Sequence, residues 1–268
     1  MEKYLIALDL DGTLLKDDKT ISPYTKEVLL KAKDVGHIVV IATGRPYRAS
    51  KMYYEELGLS TPIVNFNGAF IHHPKDDSWG IIHTPLELET VREILEVSKK
   101  YNVKNMLAEI MDDVYFHEHD EKLLHIFTFG NPQVKIGDLQ QILQNDPTCI
   151  LIHADEEEVE KIRTYLSEVH AHVIDHRRWA APWHVIEIVR TGVNKAEGLK
   201  RIAQFYKIPQ ERVIAFGDED NDLEMIEWAG YGIAMGNAIE PLKKIARDVT
   251  KSNEEDGIGI YLKSLLNL

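Results

Sequence analysis

The sequence predicts an α/β protein: a doubly wound parallel sheet interrupted by an inserted α+β unit. Three observations carry this reading. Short, wholly apolar runs alternate with amphipathic helical stretches over the first third and the last quarter of the 268 residues. Between Thr84 and Arg190 the rhythm changes to strands lying close together in sequence, separated by helices. The apolar runs at both chain ends close on Asp, Thr and Gly, as strands do where an open parallel sheet builds its site.

The elements follow in order. "YLIAL" (4–8) is a strand apolar on every residue, as for burial on both faces. In 22–36, Ser22 is placed to cap a helix, Pro23 to start it and Gly36 to stop it. "HIVVIATG" (37–44) is a second buried strand, 47–58 a second helix, and 62–71 a strand or a strand with a turn at Asn67-Gly68. In the insertion, 85–103 and 155–170 read as helices, while "NMLAEI", "DVYFHEH", "CILIH", "HVIDHR" and "HVIEIV" read as strands. The core rhythm resumes with a helix at 193–208, a strand at 212–217, a helix at 222–230, a strand at 230–236, and helices at 240–246 and 257–266. The domains expected are a core of 1–83 with 191–268 and an inserted unit of 84–190.

Composition excludes several function classes. A formal net charge of −13 disfavours nucleic acid and anionic membrane surfaces, which are bound by Lys and Arg. The single cysteine, Cys149, permits no internal disulfide and reads as a buried small hydrophobe, so a reducing, cytoplasmic setting is expected. The N-terminal apolar stretch is broken by Asp9 and Asp11, unlike a secretory signal, and no run is long enough to span a bilayer. No obligatory protein partner is evident.

The chemistry collects at the strand ends. Asp9 and Asp11 are on alternate residues and point to one side; as neighbours they repel unless something positive intervenes. "GDEDND" (217–222) places four carboxylates in six residues. Such a concentration of hard oxygen ligands calls for Mg²⁺, which commonly binds through few carboxylates plus a substrate phosphate. Lys195 adds an ammonium, Thr43 a hydroxyl, and Leu10 and Gly44 backbone N–H groups, together a cradle for phosphate. With its charge offset, Asp9 can serve as a nucleophile and Asp11 as general acid and base.

"DLDGTLL", "ATGR", "NKAEGLKR" and "GDEDNDLEMI", in that order, resemble the four motifs of the haloacid dehalogenase superfamily, and the insertion resembles the large cap of its Cof-type sugar-phosphatase branch, as does "NFNGAFI". The resemblance covers essentially the whole chain and implies a Rossmann-like core. It implies a Mg²⁺-dependent phosphatase acting on small phosphorylated metabolites (sugar phosphates, flavin or flavin-precursor phosphates) through an aspartyl-phosphate. By it, Asp9 is the nucleophile and Asp11 the acid/base. Asp9, Asp218 and the Asp11 carbonyl hold the metal. Leu10, Thr43, Gly44, Lys195 and Asn221 bind phosphate, and Asp222 supports the metal or Lys195. Arg45, Asn67 and Gly68 are candidates for touching substrate; Arg45 could instead pair with carboxylates of the site, and is equally suited to a surface ion pair.

Other readings stand beside this one. A sugar phosphotransferase or phosphomutase could use the same residues, and a non-catalytic phospho-metabolite sensor would need only some of them. A calcium loop fails on spacing, because Leu14 and Thr20 fall where glycine and glutamate are required. "EEE" (156–158) fits a helix's first turn. His117 with His119, and His170 with His172, would pair on strand faces but complete no zinc set, so they read as satisfied histidines. Trp179 and Trp183, beside Arg177 and Arg178, read as a packed loop, with a substrate-facing loop as the second reading.

Overall fold

The computed structural model describes residues 2–178 and 184–268; Trp179 and Trp183 lie outside them. The chain forms two compact units. One comprises Met1–Arg45, Ser50–Ile82 and Asn194–Leu268, the other Pro46–Ala49 and His83–Val193.

The first unit is built on a five-stranded parallel sheet ordered Asp248–Val249, Tyr231–Ala234, Val213–Gly217, Leu5–Leu8, Ile38–Ile41. Leu5–Leu8 lies between two neighbours, and all four of its side chains are buried, which is why the run is apolar throughout. Each fully buried Leu or Ile contributes about 1.5–3 kcal/mol. The helices Pro23–Asp34, Lys195–Phe205, Leu223–Trp228, Glu240–Ile245 and Gly257–Leu266 belong to this unit. Pro23 does start its helix, but the Ser22 side chain makes no capping hydrogen bond. Asn194 does cap, its side chain accepting the Glu197 N–H at 3.0 Å.

The 62–71 stretch takes the second of its two expected forms. Ile63–Asn65 and Phe70–His72 are antiparallel strands joined by a 3₁₀ turn, Phe66–Gly68. With Ile81–His83 they make a small three-stranded sheet.

The second unit carries a six-stranded sheet ordered Ile174–Arg178, Val185–Arg190, Cys149–Ala154, Val103–Ile110, Asp113–Phe116, Val134–Ile136. All pairs are antiparallel except the last. Its core packs Val91, Ile94 and Leu95 of the helix Leu88–Ser98, and Val159, Ile162 and Leu166 of the helix Glu156–Val169, against alternate strand residues such as Ile150, Ile152, Ile186 and Ile188. The period of two in the strands and of three to four in the helices is thus the pattern of one shared core. Glu109 is buried in this unit against Arg48, 2.9 Å away, and burial outweighs that partner and pushes its carboxyl up to about 7.

The histidine pairs do not share strand faces. The strand Asp113–Phe116 stops before His117, and Ile174–Arg178 starts after His172. Cys149 is buried, as expected. Among the described residues no helix is long and apolar enough to cross a membrane.

Candidate active site

Parallel register places three strand ends in a row. Leu8 lies between Phe216 and Ile41, and the Asp9 N–H donates to the Phe216 carbonyl at 3.2 Å. The residues just beyond are therefore Asp9–Leu10–Asp11, Asp218 and Thr43, at the carboxyl edge of one sheet.

Lys195 enters from the N-terminus of its helix and is fully buried. Its Nζ donates to Asp9 Oδ1 at 2.6 Å and to Asp222 Oδ1 at 2.7 Å. Burial alone would discharge this ammonium, but the Asp222 and Asp9 carboxylates hold its pKa above the ordinary value. Asp222 uses its other oxygen to accept the N–H groups of Asp218 at 2.9 Å and Glu219 at 3.2 Å. Both its oxygens are engaged, so it orients Lys195 and the 217–219 turn.

Asp218 Oδ1 accepts the Thr13 hydroxyl at 2.8 Å. Gly12, at φ +73°, passes so close that a Cβ there would lie 2.1 Å from Asp218 Oδ2; only glycine fits. Burial, then the Asp222 charge, raises the Asp218 carboxyl to about 7. Burial likewise raises Asp9 against the pull of Lys195, with Asp222 and Asp218 adding to the rise.

Asp9, Asp218 and Asp222 each bring a carboxylate oxygen within 4.8 Å of the others, the only such group among the described residues. Asp9 Oδ2 and Asp218 Oδ2 accept no hydrogen bond from the described residues. Three carboxylates against one ammonium, with hard oxygens left unpaired, fit a divalent cation of the Mg²⁺ type.

Asp11 does not share this cluster. Its carboxylate takes a two-point contact from Arg45, Nε to Oδ2 and Nη2 to Oδ1, both at 2.6 Å, and a third from Lys19 at 2.8 Å. Burial opposes ionisation, but Arg45 and then Lys19 override it and hold Asp11 at about 2. The two neighbouring carboxylates thus each have their own cation, Lys195 for Asp9 and Arg45 with Lys19 for Asp11.

The remaining expected residues fall as follows. The buried Thr43 hydroxyl accepts the Arg45 N–H at 3.1 Å. The Leu10 carbonyl accepts the N–H groups of Thr13 at 3.3 Å and Leu15 at 2.8 Å. A Cβ on Gly44 would meet the Asn67 amide at 3.2 Å, and Asn221 Nδ2 donates to Asn67 Oδ1 at 3.0 Å. In the other unit, Arg178 pairs with Glu156 at 3.3 Å and Glu160 at 3.7 Å. Sequence reasoning missed Thr13, Lys19 and Asn237, whose Nδ2 donates to the Gly12 carbonyl at 2.8 Å. Thr13 sat within a quoted motif; Lys19 and Asn237 lie in loops and carry no local signal.

Residues 6–262 match the haloacid dehalogenase-like hydrolase family. The chain is 61% identical over 265 residues to the 5-amino-6-(5-phospho-D-ribitylamino)uracil phosphatase YitU of Bacillus subtilis, covering 99% of this chain and 98% of that protein. It is 31% identical to a second Bacillus subtilis phosphatase of that description, YwtE, covering 98% of each. A haloacid dehalogenase-like hydrolase from Bacteroides thetaiotaomicron superposes with a TM-score of 0.85 at 28% identity, covering 98% of this chain and 100% of that one.

Proposed function

The chain belongs to the haloacid dehalogenase-like hydrolase family and is a phosphatase, and from that premise we propose that it hydrolyses a flavin-precursor phosphate, 5-amino-6-(5-phospho-D-ribitylamino)uracil, with Asp9 as the nucleophile. The observation that carries the substrate is the 61% identity to a phosphatase of that description over nearly the whole of both chains. The observation that supports the chemistry is a buried Asp9 between Lys195 and Asp218 at the end of the strand Leu5–Leu8.

In this reading an Asp9 oxygen attacks phosphorus while the ribityl oxygen leaves and takes a proton from Asp11. Water then attacks the aspartyl-phosphate, Asp11 accepts its proton, and inorganic phosphate departs with Asp9 restored. Held ionised by Arg45 and Lys19, Asp11 is in the state that the second step needs; for the first it must part from Arg45 and carry a proton taken from solvent, which the second step returns to it. Lys195, the Thr43 hydroxyl, Asn221 and the Leu10 and Gly44 N–H groups receive the phosphate oxygens, while Asp222 orients Lys195. Asp9, Asp218 and the Asp11 carbonyl would hold Mg²⁺, which when bound offsets negative charge between carboxylates and phosphate. Choice of leaving group is assigned to residues 84–190, and the single cysteine suits work in a reducing cytoplasm.

The test is phosphate release from a panel of flavin-precursor, sugar, pyridoxal and nucleotide phosphates, with Mg²⁺ or chelator, for the wild type and Asp9→Asn. The expected result is preferred turnover of the ribitylaminouracil phosphate, abolished by chelator and by the substitution. Turnover that survives Asp9→Asn would remove the nucleophile assignment. Preference for another phosphate would remove the substrate.

A further inference from the structure

The turn Phe66-Asn67-Gly68 is strained. Its residues have φ of +49°, +54° and +107° in succession, and Phe66 is a bulky residue in a region that bulky residues avoid. The turn is buried, and such strain persists only where the surroundings over-determine it.

Those surroundings are the candidate site. The Asn67 N–H donates to the Thr43 carbonyl at 3.0 Å and the Phe66 N–H to the Arg45 carbonyl at 3.3 Å. The Asn67 amide lies against Gly44, where a Cβ would meet it at 3.2 Å, and its Oδ1 accepts Asn221 Nδ2 at 3.0 Å. A Cβ on Gly68 would lie 2.3 Å from the carbonyl of Asn194, the residue before Lys195. The turn therefore touches three of the four segments that carry the proposed phosphate ligands.

We propose that Asn67 is a positioning residue for the phosphate group, fixing the Asn221 amide against the Thr43–Gly44 loop so that the two bind one anion as a unit. The inference rests on the phosphatase reading of the site. Asn67 is 4% exposed, and its Oδ1 accepts the Asn221 amide, so it acts on the anion through that residue. Left-handed backbone alone would be satisfied by glycine, which is easier there than asparagine. The amide, not the backbone, is what the site uses.

Asn67→Gly separates the two, because it keeps the turn and deletes the amide. Inhibition by inorganic phosphate and steady-state kinetics would be measured for the Mg²⁺-loaded wild type, Asn67→Gly, Asn221→Ala and the double variant, with melting temperature as the check on folding. The expected result for Asn67→Gly is an unchanged melting temperature, with KM and the phosphate inhibition constant each raised about 10-fold, as when the Asn221 amide loses its hold on a charged group. The double variant should bind phosphate no more weakly than Asn221→Ala, since coupled residues are not additive. Wild-type KM and phosphate inhibition in Asn67→Gly would overturn the proposal, as would fully additive losses in the double variant. A wild type that releases no phosphate would instead bring down the phosphatase reading, and the proposal with it.

Discussion

Lys195 illustrates how a residue ordinary in isolation becomes costly to change. A lysine opening a helix is usually solvated, and only the company of Asp9 and Asp222 marks this one; it is fully buried between them. Lys195→Met should lower stability by about 3–5 kcal/mol, because it strands buried carboxylates, and adding Asp222→Asn should recover part of that in chemical denaturation. Glu109 is the opposite case, a carboxyl whose burial outweighs its Arg48 partner. Its folded value of about 7 exceeds the ordinary 4.5, so the native state binds the extra proton in that window. The contribution is complete below pH 4.5 and is lost as pH rises through 7, roughly 3 kcal/mol in all. Relative to the wild type, Glu109→Gln should gain stability between pH 5 and 8, read from urea midpoints along the series; a flat difference would remove Glu109 from the account.

At the scale of elements, the helix Lys195–Phe205 depends on a glycine in its interior. A Cβ on Gly198 would lie 2.8 Å from both methyls of Val64 in the strand Ile63–Asn65. Alanine would improve helix propensity by about 1 kcal/mol. Overpacking against a β-branched, χ1-locked valine costs about 1–3 kcal/mol, so the clash wins. Gly198→Ala should lower the melting temperature, and Val64→Ala in the same chain should restore it. The sequence showed the helix but not this contact, because Gly198 carries no side chain to read. Similar reasons separate the legible elements from the rest. Leu5–Leu8 and Val213–Gly217 were visible as apolar runs, and Pro23 marked its helix start. Val134–Ile136, exposed on all three residues, and the two-residue Asp248–Val249 show no period at all. Asp9, Lys195, Asp218 and Asp222 were legible because each sits in a patterned segment. The Arg45 pairing with Asp11 was one of the alternatives open for Arg45, which directly follows the Thr43-Gly44 strand end; the Lys19 contact was not legible, since loop side chains choose partners only once the fold is complete.

For the whole molecule, a net charge of −13 is a standing self-repulsion that includes the buried carboxylates of the candidate site. Added salt should raise the melting temperature by screening the surface. At matched ionic strength Mg²⁺ should raise it further, by up to about 2.7 kcal/mol of stabilisation at a hundredfold excess over Kd. Asp218→Asn should erase the Mg²⁺ increment and leave the salt effect intact; an equal increment in that variant would place the ion elsewhere.

The insertion has a consequence in time. Asp9 emerges from the ribosome well ahead of its cation, Lys195, which lies 186 residues later. At about 5–20 residues per second, that is a wait of roughly 10–40 seconds. The strand Val213–Gly217, which flanks Leu5–Leu8, comes later still. The nascent chain therefore holds Leu5–Leu8 without one of its two neighbouring strands, and Asp9 without its cation, while the inserted segment His83–Val193 arrives with most of its own hydrophobic core. A stretch made after the insertion is what lets a stretch made before it fold.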